Sequence, residues 1–461
     1  MKLRVPHTFT IIFILIAIMA ALTWVIPSGK YARIHDSKSG KELVIPNSYK
    51  AVPANPQGVK DVLQSFAKGM LDASDIIVFL LIIGGAYGVV LETGALDTGF
   101  KKVITKLGNK DKLLIPMVLF LFAIGGTVTG MWEETLAFYM LIVPLVIAMG
   151  YDALVGAGAI LIGAAIGNMS SITNPFSTGI ASGIANVSLS DGMGIRCIMW
   201  VVAVAVAIIY VMLYATKVKK DPKKSLLYSL RADHKKHFGH LAEDKLFVNF
   251  TLKHKIIVAA FIFNIMFMVF SIVYLDWWVI EITMQFIVLA VFCGYIAGMN
   301  EKQIWDNFVK GGQDFLFAAY VIGLARGVYS VAHDGAIVDT MLYYLSTWLA
   351  NLPEELFLLL NQIAQLIVGF FVPSSSGHAA LVIPILSPMA EILNVPKASI
   401  IITYTVASGL VNLVTPVAGV LMGALAICRI PFSAWLRFVI PIFLIEVAIG
   451  FVFVVISAYM L

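Results

Sequence analysis

Glu133 and Glu134 stand side by side in Gly130-Met131-Trp132-Glu133-Glu134-Thr135, near the middle of an otherwise apolar stretch spanning 113–150. Carboxylates at membrane depth are costly, so a chain that keeps two of them there uses them. They can bind a cation, meet the ammonium or guanidinium of a solute, or pair with a buried Arg or His. Three further polar interruptions have the same setting. Gly167-Asn168-Met169-Ser170-Ser171-Ile172-Thr173-Asn174-Pro175 divides the apolar runs 153–166 and 176–184. Gly409-Leu410-Val411-Asn412-Leu413-Val414-Thr415-Pro416 repeats its pattern, and Phe371-Val372-Pro373-Ser374-Ser375-Ser376-Gly377-His378 interrupts 356–392. Backbone groups released at that depth must be satisfied by the protein or by a ligand.

The chemistry of the four stretches is coherent. Half-helices starting after Pro175 and Pro416 would present free N–H groups and partial positive charge, which suits a carboxylate. The hydroxyls of Thr135, Ser170, Ser171, Thr173, Ser374, Ser375, Ser376 and Thr415 can bind substrate, and a Na⁺ site is expected near Ser171, Thr173, Ser375 and Thr415. Asn168, Asn174 and Asn412 are substrate-site candidates that read equally well as caps of broken helices. Arg326, within the apolar run 315–331, needs an anionic partner or an aqueous path; an ion pair to Glu133, Glu134 or Asp314 and a substrate contact both fit. His378 can couple protons or simply hydrogen-bond at its tip. Trp132 and Phe176 can stack on a cationic group or face lipid.

Composition sets the class. With 461 residues, 60% hydrophobic and 13% charged, the chain is an all-α polytopic membrane protein. Cys197, Cys293 and Cys428 lie in apolar runs without pairing or metal-ligand spacing, which excludes redox chemistry. Residues 217–255 hold 11 Lys or Arg against four acidic residues, with His234, His237, His240 and His254. The positive-inside rule makes this a cytoplasmic, headgroup-facing linker, and its histidines lack the carboxylates or cysteines of a metal set. Residues 9–26 read as a first transmembrane helix rather than a signal peptide. An external loop, 28–59, carries a small β-hairpin from 31 to 45, and 58–69 is a short amphipathic helix. The lysine-rich segment 100–112 faces the cytoplasm; 113–150 is a re-entrant hairpin from that side; 152–189 is a broken helix.

One unit occurs twice. Glu301-Lys302-Gln303-Ile304-Trp305-Asp306-Asn307-Phe308-Val309-Lys310-Gly311 follows the pattern of 59–69; Lys68 and Lys310 lie 242 residues apart, and Pro175 and Pro416 lie 241 apart. The unmatched helix 256–275 between the copies inverts the second. Charge agrees, since 340–353, the counterpart of the lysine-rich segment, has no Lys or Arg. The expected architecture is two inverted repeats, 1–215 and 279–461, joined by 216–278, with about nine transmembrane helices and two opposed re-entrant hairpins. The second hairpin is 356–392 on the external side, the second broken helix 397–430. All four polar stretches should meet near the bilayer midplane.

Val5-Pro6-His7-Thr8, Ile26-Pro27-Ser28-Gly29, Ala67-Lys68-Gly69-Met70, 125–135 with its paired glutamates, 167–175, 372–378 and Val414-Thr415-Pro416 together resemble the YfcC-like carriers of the C4-dicarboxylate and arginine/ornithine transporter group. That group sits in the ion transporter superfamily beside the AbgT carriers. The resemblance covers nearly the whole chain. It implies a secondary transporter with scaffold and transport domains, dimeric, moving by an elevator mechanism; it does not imply a substrate, since such carriers are assigned to dicarboxylates, basic amino acids or peptides.

The residues favour an amino-acid-like solute. An ionised glutamate in the site repels a dianion unless a proton or Na⁺ compensates, whereas an amino acid can set its carboxylate on a half-helix N-terminus and its cationic group on Glu134 or Glu133. The expectation is therefore exchange of basic amino acids, of the arginine-for-ornithine kind, in the cytoplasmic membrane, with the N-terminus cytoplasmic and the C-terminus external. A Na⁺- or H⁺-coupled dicarboxylate or peptide carrier is the alternative. A channel lacks its continuous polar path, and an intramembrane enzyme has only Ser376 with His378 as a loose catalytic pair. No nucleic-acid partner is expected.

Overall fold

A run of 18 residues with no exposed side, α6 (Ala153–Ser170), lies at the centre of the molecule. The computed structural model describes residues 8–36, 41–96, 98–99, 102, 112–238, 251–275, 277, 279–349 and 352–461. Most of the lysine-rich segment 100–112, and His240 in the basic linker, lie outside the described residues.

In chain order the helices before α6 are α1 (Thr8–Leu22), α2 (Val59–Asp72), α3 (Ser74–Glu92), α4 (Leu114–Thr129) and α5 (Tyr139–Ala148). After α6 come α7 (Ile180–Ala185), α8 (Met193–Lys220), α9 (Arg231–Phe238), α10 (Leu252–Tyr274), α11 (Val279–Ala297) and α12 (Glu301–Asp334). The chain ends with α13 (Val338–Leu349), α14 (Glu354–Phe371), α15 (Ser375–Ile392), α16 (Lys397–Val411), α17 (Gly419–Ile427) and α18 (Phe432–Met460). Seven helices among the described residues are long and apolar enough to cross a membrane. The expected β-hairpin is present: β2 (Arg33–Asp36) pairs antiparallel with β3 (Lys41–Val44), and β1 (Gly29–Lys30) with β4 (Lys50–Ala51). This loop is tied to the second half by Arg33 Nη2 on Asp339 Oδ1 at 2.7 Å and by the Ser28 hydroxyl on the Gly335 carbonyl at 2.9 Å.

The helices pair as α4–α5 and α14–α15 over the two segments expected as hairpins, and as α6–α7 and α16–α17 over the two expected as broken helices. Two expectations need correction. The amphipathic piece 301–311 and the apolar run after it are one continuous helix, α12, whereas the matching segment of the first half breaks at Ala73, whose φ of −110 and ψ of 16 leave the helix. Nor does the second half-helix follow Pro416 directly: it begins at Gly419, with extended Ala418 as its N-cap.

The helices pack in two groups. In the first, α12 lies along α2 and α3 and touches α1, while α11 lies on α3 and α10. The crossing is reciprocal. A Cβ on Gly69 of α2 would stand 2.6 Å from the Gly327 nitrogen of α12, and one on Gly311 of α12 would stand 2.7 Å from Gly88 Cα of α3. Each glycine thus seats on the other half's small-residue ridge, Gly323 with Gly327 and Gly84 with Gly88, as close membrane helix crossings require. In the second group α4 and α5 pack on α6, α14 and α15 pack on α16, α6 crosses α16, and α8 and α18 flank them. The two broken helices run antiparallel. Lys397 at the start of α16 donates to the Ala185 carbonyl at the end of α7, 3.4 Å away. At the other end the segment after α8 joins both: Ser225 donates to Asp152, the α6 N-cap, at 2.5 Å, and His234 Nε2 lies 3.1 Å from the Arg429 carbonyl just past α17.

Candidate functional site

The first break is built from its own side chains. α6 ends at Ser171 in a left-handed conformation (φ 42), and Pro175–Gly179 forms a wide turn before α7. Asn174 Oδ1 accepts from the Phe176 and Ser177 amides at 2.9 and 3.3 Å, and its Nδ2 donates to Asn168 Oδ1 at 2.9 Å. Asn168 donates in turn to the Met131 and Ala164 carbonyls. The Ser171 and Ser177 hydroxyls bond each other, and Thr178 Oγ1 donates to Ser171 Oγ at 2.7 Å. The N–H groups after Pro175 are therefore not free for a carboxylate: capping has used them. The same holds after Pro416, where Thr415 Oγ1 accepts from Val417 N at 3.3 Å. The second broken helix offers its first-turn amides only from Gly419 on.

Each break is stitched to its own hairpin at the same chain distance. Thr173 donates from its amide to the Thr127 carbonyl at 3.1 Å and from its hydroxyl to Val128 O at 3.5 Å; the Thr415 hydroxyl donates to Phe370 O at 2.8 Å. Each hairpin in turn meets the other half. The 3₁₀ turn Glu133–Phe138 packs on α17, and α15 packs on α7 and the turn before it. Gly409 of α16 lies on the Asn168–Met169 backbone. The four stretches are thus brought together in pairs about the crossing of α6 and α16, while Thr173, Pro175 and Phe176 stay exposed.

The two glutamates have different roles. Glu134 is 2% exposed, and its Oε2 accepts from Trp132 N at 3.1 Å, which holds the tip turn together with Thr135 Oγ1 on the Trp132 carbonyl at 2.5 Å. Glu133 is only half-buried. Arg326 is within electrostatic reach of Glu133, yet no ion pair to Glu133, Glu134 or Asp314 forms among the described residues, and its guanidinium instead lies over the Tyr329 ring, 5.8 Å from the centroid. Arg326 follows Ile322 by one turn on α12, and Ile322 packs on Gly419 and Gly423 of α17, with Leu136 on the same glycine. Arg326 and Glu133 thus flank the joint between the two helix groups.

At the second tip Ser374 caps α15 by accepting from Gly377 N at 3.3 Å, and Ser375 receives the Ser408 hydroxyl at 3.2 Å and the Tyr404 hydroxyl, on its carbonyl, at 2.6 Å. Ser376 is half-buried beside them. His378 is fully buried edge-on to Tyr404, and neither ring nitrogen has a hydrogen-bond partner, which leaves the loose Ser376–His378 pair without a catalytic contact. Asn412 donates to Ser408 O at 3.1 Å while its oxygen and the Ser170 hydroxyl have no partner.

A sequence profile of the DcuC family, the C4-dicarboxylate anaerobic carriers, matches residues 5–459. The chain belongs to this family. It is a multi-pass membrane transporter of a small-molecule substrate, not an enzyme. An uncharacterised protein of Haemophilus influenzae is 30% identical over 492 residues, 98% of this chain and 96% of that one. YfcC of Escherichia coli K12, provisionally named a basic amino acid antiporter, is 28% identical over 470 residues, 94% of this chain and 92% of its own. MtrF of Neisseria gonorrhoeae, an antimetabolite efflux pump, aligns over 100% of this chain and 96% of its own at 14% identity and a TM-score of 0.42. The resemblance that the paired glutamates and proline-ended breaks carry is thus met at the level of family.

Sequence reasoning missed Glu446. It is the only carboxylate in α18 and is fully buried, with neither oxygen hydrogen-bonded. The signal was present, a lone acidic residue in an apolar run.

Proposed function

We propose that this DcuC-family carrier exchanges zwitterionic, basic amino acids, of the arginine-for-ornithine kind, across the cytoplasmic membrane. The observation that carries the reading is that Glu133 and Arg326, at the joint between the helix groups, form no ion pair among the described residues. Opposite charges left unjoined suit a solute with an anionic and a cationic end: the carboxylate turns to Arg326 and the first turn of α17, the guanidinium or ammonium to Glu133. Ser374, Ser375, Ser376, Thr173 and Asn412 would line the remainder. The provisional name of the YfcC relative agrees. The second reading, C4-dicarboxylate transport, rests on the family description and on Arg326 as an anion ligand.

The working architecture is two inverted repeats forming a scaffold and a transport domain that move as an elevator, in a homodimer. Support for inversion comes from the antiparallel broken helices and the reciprocal glycine seats, because a contact repeated with its partners exchanged is what a two-fold relation produces. The basic segment 217–255 supports a cytoplasmic linker and N-terminus with an external C-terminus.

The test is counterflow in proteoliposomes loaded with arginine, ornithine or succinate. Labelled arginine should enter only against internal arginine or ornithine. Entry of succinate with no response to either amino acid would establish the dicarboxylate reading instead.

A further inference from the structure

Away from the tips, α18 crosses α14 and α16, and the contact surface there is polar. Asn361, Gln362 and Gln365 of α14 are 0–1% exposed and Glu446 of α18 is 0% exposed. Gln362 Nε2 donates to the Val447 carbonyl, next to Glu446, at 3.3 Å, and a Cβ on Gly450 would stand 3.0 Å from the same nitrogen. Glu446 and Gly450 are one turn apart on one face of α18, so the carboxyl and the amides share that crossing. Gln365 Nε2 donates to Asn361 Oδ1 at 3.4 Å. The atoms left without partners are both Glu446 oxygens, Gln362 Oε1, Gln365 Oε1 and Asn361 Nδ2. That is an excess of acceptors over donors around a carboxyl group.

Among the described residues no charged side chain pairs with it. The other ionisable side chains of α18 are far along its axis: Arg437 lies nine residues earlier, about 13 Å, and Tyr459 thirteen residues later, about 20 Å. On α16, Lys397 pairs with Glu391 at 2.5 Å and Tyr404 donates to Ser375. On α8, Arg196 donates to the Leu189 carbonyl, Tyr210 to Phe438 O and Tyr214 to Asp152; Cys197 and the lysines 217, 219 and 220 make no described bond to Glu446. The α14 ionisable groups, Glu354 and Glu355, begin that helix, and α17 has none before Cys428.

We propose that Glu446 is a proton-binding site of the carrier, with Asn361, Gln362 and Gln365 as its hydrogen-bond partners. The proton adds to one carboxylate oxygen. The new O–H donates to a glutamine carbonyl, and the other oxygen accepts from Asn361 Nδ2; on release the proton returns to water, and nothing is oxidised or reduced. A bare carboxylate in that setting has no compensation, whereas a proton needs one acceptor and no hydration shell to shed. The inference rests on the carrier reading only in making this a coupling proton; it adds a site remote from Glu133 and Arg326.

The experiment is infrared difference spectroscopy of the full-length protein in lipid bilayers, in H₂O and D₂O, wild type against Glu446→Gln. The wild type should show a carboxylic-acid C=O stretch that shifts in D₂O and is lost in Glu446→Gln; Gln362→Met and Gln365→Met should keep the band and move its frequency. An identical band in Glu446→Gln overturns the proposal, as does a band that neither amide variant moves. Disappearance of the wild-type band on adding Na⁺ at constant pH overturns it in favour of a metal cation. In proteoliposomes loaded with ornithine, an imposed pH gradient should raise labelled-arginine accumulation in the wild type and leave it unchanged in Glu446→Gln. Absence of wild-type counterflow would count against the carrier assignment, and the infrared band would still decide Glu446.

Discussion

Gly409 of α16 rests on the backbone of Met169 of α6, and a side chain at 409 would have to displace main chain rather than a flexible neighbour. The contact sits where the two broken helices cross. Gly409→Ala should lower stability by about 1–3 kcal/mol, read as a fall in apparent melting temperature in detergent. Gly183→Ala, where nothing lies within 4 Å, is the control and should be silent. Equal melting of both variants would mean that the crossing is not tight.

Asn174 satisfies two amides and Asn168 together. Its replacement by Ala should cost about 1–2 kcal/mol of stability and loosen the break. Protease cleavage near Pro175 should rise in Asn174→Ala and stay unchanged in Asn186→Ala, which lies beyond α7.

The paired glutamates should separate cleanly. Glu134→Ala removes the acceptor for Trp132 N, so it should lower the melting temperature, by about 1–3 kcal/mol of stability. Glu133→Gln should leave melting unchanged while abolishing arginine counterflow. If Glu133→Gln exchanged arginine normally, the zwitterion reading would lose its cationic subsite.

His234 is buried against the Arg429 carbonyl, and burial holds its pKa below the ordinary histidine value of 6.5. The folded state therefore favours the neutral ring, and the unfolded chain takes up the proton first as the pH falls. Its contribution is complete above about pH 6.5 and declines below it. Melting temperature should drop between about pH 7 and pH 5 in the wild type, with a shallower slope in His234→Gln.

Much of this was legible because apolar spacing and proline-ended polar breaks leave a strong trace. The turns at Glu133 and Ser374, the helix end before Pro175 and the pairing of Arg33–Asp36 with Lys41–Val44 follow from pattern alone. What the pattern hides is which polar atoms are already spent. Asn174 and Thr415 look like ligands in one dimension and are caps in three, and Arg326 looks as though it must pair with a glutamate yet lies on Tyr329. Glu446 escaped because a single acidic residue in a long apolar run has no motif around it; the amides that share its crossing come from a helix about 80 residues earlier.

The interruption at Ala73 has no counterpart in α12, although both stretches run for the same length of chain. Under the two-fold exchange proposed above, identical halves would give states of equal energy facing either compartment. A break in one copy only removes that equivalence, so we propose that this asymmetry of the backbone biases the carrier's resting orientation.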